Sequence, residues 1–159
     1  MPCMSGWDEV IAAVGRAQQG LEGGHEALLE QWAATSPDDH PQRCVLAHYL
    51  ADREPELAAE VVWDEVALRE HALLADDALA EIGIPSARGM APSLHLNLGD
   101  GYLRQGRVGE ARVQLEAGLA AADALGDDAY GAMVSGGLGR LAERLAERLA
   151  DGLAGAGGT

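Results

Sequence analysis

Apolar residues recur along most of the chain three or four positions apart, which is the spacing of helices that bury one face. Val10 and Val14 show this spacing in the first such segment, and Leu28 and Trp32 show it in the second. Glycines and prolines separate the segments, because glycine favours the position just past a helix end and proline favours the first turn. The pattern predicts six or seven helices, the first capped by Ser5, near residues 5–20, 25–35, 41–54, 56–82, 93–104, 108–125 and 128–150, with a loop at 83–92.

The last predicted helix contains the tetrad Leu-Ala-Glu-Arg twice, at 141–148. Its leucines recur every fourth residue, a period that drifts around a helix and suits a short contact better than a coiled coil. We expect this stripe to cover the end of the helical stack, with a homodimer contact as the alternative. The residues at 152–159 are small and Gly-rich, and they are predicted to form a flexible tail.

Composition supports an all-α fold. Hydrophobic residues make up 48% of the 159 residues, which is enough for one core without disulfides or metal. Phe is absent, so Leu, Ala and Val must fill that core, and Ala and Leu favour helix. We therefore predict one all-α domain over 1–151. The absence of Lys and the abundance of Ala, Gly and Arg are typical of a GC-rich bacterial genome.

The net charge of −15 bears on the class of partner. A surface this acidic repels phosphate groups, which argues against nucleic acid and anionic membranes as partners. It favours a basic peptide or protein as the partner. The alternative is that the charged side chains only keep the helix faces solvated. No stretch approaches the ~20 apolar residues of a membrane span. Residues 1–10 show no secretory signal and the two cysteines form no framework, so we expect a cytoplasmic protein.

An internal repeat becomes visible when the predicted helices are taken in pairs. The repeat has one order of residues at fixed spacing: a bulky residue, a Leu followed by a small residue, a second bulky residue, a small residue and a further bulky one. In the second half of the chain these positions are His95, Leu98, Gly99, Tyr102, Ala111 and Leu115. In the first half they are Leu46, Ala47, Leu50, Ala59 and Trp63. The small residues Gly99 and Ala111 would allow two helices to cross closely.

This pattern resembles the tetratricopeptide repeat (TPR) family, over about residues 41–70 and 92–125. Gly99 lies 52 residues after Ala47, whereas the family period is about 34, so an insertion must separate the two repeats. The resemblance implies a short α-solenoid of stacked antiparallel helical hairpins, closed by the last helix as a cap. The alternative is that an Ala- and Leu-rich helical hairpin mimics the pattern.

The resemblance also implies a binding groove on the inner face of the stack. Its positions fall on Cys44, His48, Asp52, Ser93, Asn97, Asp100 and Arg104. Asn97 can donate to and accept from a peptide backbone, and Arg104 can bind a carboxylate through two hydrogen bonds. The sequence departs from the carboxylate-binding variety of the family, which uses several Lys and Arg residues. The alternative is that Asn97, Asp100 and Arg104 pair with one another.

The function predicted from these observations is non-catalytic binding of a protein or peptide, without a cofactor. A second hypothesis is a small-ligand or metal site, because His40, Cys44 and His48 recur every four residues and could bind zinc or copper. Against it, Cys44 and His48 can equally be packed residues. An enzyme is not expected, since the Cys44–His48 pair has no third group to orient it.

Overall fold

The chain is all-helical over residues 6–157, which are the residues that the computed structural model describes, and this confirms the predicted fold class. The helices are α1 (Gly6–Gln18), α2 (Gly24–Ala34), α3 (His40–Ala51), α4 (Leu57–His71), α5 (Ala91–Arg104), α6 (Val108–Ala120) and α7 (Ala129–Ala156). Short 3-10 turns lie at Ala80–Ile82, Ala87–Met90 and Ala122–Ala124. The cap predicted at Ser5 lies outside the described residues.

The chain packs as two compact units, Met1–Ala87 and Arg88–Thr159, and each is described by itself. The division falls inside the loop predicted at 83–92, where Gly83, Pro85 and Gly89 interrupt the helices. The sequence predicts one domain over 1–151, whereas packing groups the first four helices and the last three separately.

The first unit consists of the hairpins α1/α2 and α3/α4, and α3 packs on both α1 and α2. Its interior is filled by aliphatic side chains, with Leu28, Leu46 and Leu50 completely buried. The turn between α1 and α2 places Gly23 at a φ of 78°, a left-handed conformation that favours glycine. This unit is held by apolar burial, as the hydrophobic spacing of the sequence predicts.

Helix α4 ends at His71, so the prediction of a helix continuing to residue 82 is wrong. The chain beyond it folds back through hydrogen bonds that a straight helix would not allow. His71 Nε2 donates to the Ala87 carbonyl at 2.7 Å, and Ser86 Oγ donates to Asp76 at 2.7 Å. Leu79 is completely buried by this reversal, and its burial favours the folded-back segment over a continued helix.

The second unit consists of the hairpin α5/α6, with α7 packed on both helices. Gly106, at a φ of 76°, makes the turn between α5 and α6. A Cβ added at Gly99 would lie 2.9 Å from Leu141 Cδ2 and 3.2 Å from Gln114 Cβ. The expectation that Gly99 and Ala111 permit a close helix crossing is therefore confirmed, and Ala111 is completely buried.

Helix α7 begins where the Asp128 carboxylate accepts a hydrogen bond from the Gly131 amide at 2.8 Å. It then runs for 28 residues, so the prediction of a flexible tail is wrong for 152–156. The reason is that a helix rich in Ala, Leu, Glu and Arg gains one hydrogen bond per added residue and extends through its glycines. Its leucine stripe is divided: Leu145 is buried, while Leu149 and Leu153 are 44% and 77% exposed.

Candidate functional site

Three contacts between α5 and α7 bring the predicted groove residues of the second unit to one cleft. At one end, the Tyr130 hydroxyl donates to Ser93 Oγ at 3.0 Å. In the middle, the Leu96 side chain packs against Gly137, where an added Cβ would lie 2.5 Å from Leu96 Cδ2. The small residue at 137 therefore lets the two helices approach each other, and it forms the floor of the cleft between them.

The third contact is an ion-pair network around Asp100. Arg104 Nε donates to one carboxylate oxygen at 2.8 Å, and Arg144 Nη2 donates to the other at 2.6 Å. Both oxygens are thus occupied by guanidinium groups from two helices. For Asp100 and Arg104, the structure bears out the alternative that they pair with each other, so neither is an unpaired charge that awaits a ligand.

The cleft that these contacts border has a volume of about 460 Å³. It is lined by Leu96, Asn97, Asp100, Gly137, Arg140, Glu143, Arg144 and Glu147. A smaller depression of about 230 Å³ lies farther along α7, with Leu103, Arg104, Arg148 and Asp151 in its walls. Arg144 and Glu147 line both, so polar groups border the junction of α5 and α7 over several helical turns.

Two polar side chains in the cleft wall have no partner within residues 6–157. Asn97 is half-buried and forms no hydrogen bond, although its amide can donate twice and accept. Arg140 is exposed and forms neither a hydrogen bond nor an ion pair. Both side chains reach the solvent, so their polar groups are open to water or to a ligand.

Helix α7 supplies half of this cleft, and the sequence analysis did not identify its contribution. Tyr130, Gly137 and Arg144 contact α5, and they recur at intervals of seven residues. Arg140 lies between Gly137 and Arg144 and lines the same cleft. The signal was present in the repeated tetrad, whose arginines recur on one side of the helix.

The first unit does not present the three groove residues that were predicted there. Cys44 is completely buried, so its prediction as a groove residue is wrong. Burial raises the pKa of the Cys44 thiol to about 12, and the nearby Glu70 carboxylate adds to the shift. His48 is largely enclosed, and its Nδ1 is buried without a hydrogen-bond partner, whereas Asp52 is exposed. The three side chains therefore do not share one accessible surface.

Burial also lowers the pKa of His48 below its ordinary 6.5, while the Asp52 carboxylate opposes that shift. A neutral imidazole can bind a metal, but a thiolate at Cys44 is strongly disfavoured. His40, the third residue of the predicted stripe, donates from Nδ1 to Glu70 at 2.6 Å. Over residues 6–157 no group of three or more His, Cys, Asp or Glu side chains is placed to hold a metal ion.

Glu70 instead joins the hairpins of the first unit. Its second oxygen accepts a hydrogen bond from Arg43 Nε at 3.0 Å, and the Arg43 guanidinium lies 3.9 Å from the centre of the Trp32 ring. Partial burial alone would raise the pKa of Glu70, but the hydrogen bonds from His40 and Arg43 outweigh it and lower the pKa below 4.5. This network has a structural role, because each of its polar groups is paired within the unit.

Comparison with protein-family models, with curated proteins and with solved structures gave no match. In the part of the chain that the structure describes, no helix is long and apolar enough to cross a membrane.

Proposed function

We propose that the protein is a non-catalytic, peptide-binding module, and that the cleft between α5 and α7 holds a segment of a partner protein. The observation that carries this proposal is Asn97. Its amide is half-buried in the cleft wall and has no partner among the described residues. A peptide group offers the donor and the acceptor that this amide lacks.

The packing order of the helices supports a TPR-like reading of the fold. In the first unit α3 packs on both helices of the preceding hairpin, and in the second unit α7 does the same. A helical-repeat array has this order, because the first helix of each repeat packs on both helices of the repeat before it. In that reading α5 and α7 are equivalent first helices, and such helices line the inner face of a TPR array.

The size of the cleft suits a short segment of a partner and not a large ligand. A volume of about 460 Å³ lies in the lower half of the ~300–1,000 Å³ that is typical of ligand sites. Its wall combines the apolar Leu96 and Gly137 with the Asn97 amide and five charged side chains. That combination lets side chains supply affinity while the amide fixes the direction of the bound backbone.

The compartment and oligomeric state belong to the same proposal. Cys44 is a free thiol, which suits a reducing cytoplasm. A homodimer that uses the leucine stripe of α7 would form through the exposed Leu149 and Leu153, since Leu141 and Leu145 are buried in the second unit.

Selection of peptides tests the proposal. A random peptide library displayed on phage is selected on the immobilised protein, and the peptides recovered are synthesised and titrated by calorimetry. Asn97→Ala should weaken their binding about 5- to 10-fold, the effect of losing one or two hydrogen bonds. Gln31→Ala is the matched control, because Gln31 is a half-buried amide of α2 that also has no partner in the described residues.

Alanine favours helix more than asparagine does, so the Asn97→Ala variant is expected to fold. Peptides that bind wild type and Asn97→Ala equally would show that binding occurs elsewhere. A library that yields no binder at all would count against the function itself.

A further inference from the structure

The cleft and the smaller depression beside it are separated by an ion-pair network. Arg144 and Glu147 line both, whereas Asp100 lines the cleft and Arg104 lines the depression. Arg144 reaches from α7 to Asp100 on α5, with 2.6 Å between its Nη2 atom and the carboxylate. A side chain that joins two helices crosses the groove between them. The Arg144–Asp100 pair is therefore the partition between the cleft and the depression.

This partition is only weakly held in place. Arg144 and Asp100 are 45% and 29% exposed, and ion pairs in contact with water contribute little to stability. If Arg144 turned away, the Asp100 carboxylate would keep a partner, because Arg104 Nε donates to its other oxygen at 2.8 Å. Arg144 would also find a carboxylate, since Glu147 lies three positions along α7 and forms no ion pair within residues 6–157.

We propose that the Arg144–Asp100 ion pair is a gate in the binding site: it opens when a segment binds, and the segment then lies extended along α5 and α7 through both the cleft and the depression. This inference rests on the proposed function and specifies the length and conformation of its ligand. Opening needs a change in one side chain and no movement of a helix, because the contact between Leu96 and Gly137 stays in place.

The length of the ligand follows from the rise of α7. The cleft extends from Gly137 to Glu147, which corresponds to about 15 Å along the helix. The depression continues the groove to Asp151, so the two together span about 21 Å. An extended chain advances about 3.3 Å per residue, so about four or five residues fill the cleft and about six fill both.

Net charge does not define this ligand. Four arginines and four carboxylates line the cleft and the depression taken together, so the groove as a whole favours neither sign. Asn97 adds an uncharged donor and acceptor for a peptide group. Length and backbone pairing are therefore the properties that the experiment has to vary.

The test uses the peptides recovered by library selection whose binding is weakened in Asn97→Ala, since these occupy the cleft. Each is shortened one residue at a time from either end, with blocked termini, and titrated by calorimetry. Affinity should rise with length up to about six residues. Arg148→Gln changes a side chain that lines the depression and not the cleft, so it should weaken the long peptides about 3- to 10-fold and leave four-residue forms unchanged.

The gate itself is tested with Arg144→Gln. This variant has no ion pair to open, so it should bind the long peptides about 2- to 5-fold more tightly than wild type and the four-residue forms equally. Arg112→Gln is the matched control, because it removes the same charge and an exposed ion pair to Glu116 on α6. Circular dichroism of each variant checks that the helices are retained.

The results separate this inference from the function on which it rests. Peptides whose affinity stops rising at four or five residues, and which bind Arg148→Gln as tightly as wild type, would show that the ligand stays in the cleft. Arg144→Gln that binds long peptides no more tightly than wild type would overturn the gate. Either result leaves peptide binding intact, whereas peptides insensitive to Asn97→Ala would remove the proposed function itself.

Discussion

Replacing Gly99 by alanine measures how closely α5, α6 and α7 approach one another. Alanine in a helix interior is ordinarily more stable than glycine by about 0.5–1 kcal/mol. At Gly99 the added methyl group would lie 2.9 Å from Leu141 Cδ2 and 3.2 Å from Gln114 Cβ, and Leu141 is completely buried. Overpacking of this kind costs about 1–3 kcal/mol. We therefore expect Gly99→Ala to lower the free energy of unfolding by about 1–2 kcal/mol.

Gly139→Ala is the matched control, because Gly139 is an exposed residue inside α7 whose added Cβ would have no atom within 4 Å. It should stabilise the protein by about 0.5–1 kcal/mol. Both variants share the propensity gain, so the difference between them reports the steric effect alone. Urea unfolding followed by circular dichroism gives both values, provided that the dependence on urea is unchanged.

A double-mutant cycle identifies the atom responsible. Leu141→Val withdraws the methyl group that the new Cβ would meet, so it should cost less in the Gly99→Ala background than in wild type, by at least ~0.5 kcal/mol. A Gly99→Ala protein as stable as Gly139→Ala would refute the close approach. Additive effects of Gly99→Ala and Leu141→Val would refute the contact with Leu141.

Three further predictions concern the first unit. Because the pKa of His48 is lowered in the folded protein, the unfolded chain binds more protons, and the free energy of unfolding should fall as the pH drops below 6.5. Unfolding measured at several pH values should show a smaller fall for His48→Gln. Because the pKa of Glu70 is lowered below 4.5, its contribution should be lost as the pH falls further, so Glu70→Gln should be destabilised at pH 7 and converge with wild type in acid. In a Cys3→Ser background, Cys44 should react with a thiol reagent only as fast as the first unit opens, since its side chain is completely buried. Immediate reaction in the folded protein would contradict the buried position of Cys44, as would a rise in melting temperature with Zn²⁺.

Sequence patterns were sufficient where a local rule and burial agree. The spacing of apolar residues and the glycines between segments predicted most helix boundaries. Gly99 was assigned correctly because a small residue between two bulky ones implies a close crossing. The end of α4 could not be found in this way. Its leucines continue to residue 79, but Leu79 is buried by a chain reversal. That reversal depends on hydrogen bonds from Ser86 and Ala87 to Asp76, and Ser86 and Ala87 lie seven and eight residues beyond Leu79.

About half of the candidate site could be predicted from the sequence by the same reasoning. Asn97, Asp100 and Arg104 follow from the periodicity of α5, whereas Arg140 and Arg144 belong to a helix about forty residues later whose register against α5 is set by Gly137. Cys44 shows the opposite failure. The register of the repeat predicted Cys44 to be a groove residue, but the register does not show which side of α3 the rest of the unit covers.

The length of α7 has a consequence for hydrogen exchange. The last residue of α7 that is buried is Leu145, yet the helix continues to Ala156. Amides before Leu145 can exchange only when the second unit opens, while those after it need only the release of successive hydrogen bonds from the C-terminal end of the helix. Protection should therefore fall steadily from residue 146 to the end of the helix, and an endoprotease that cuts after arginine should remove this end at Arg148 before it reaches any other site in α7.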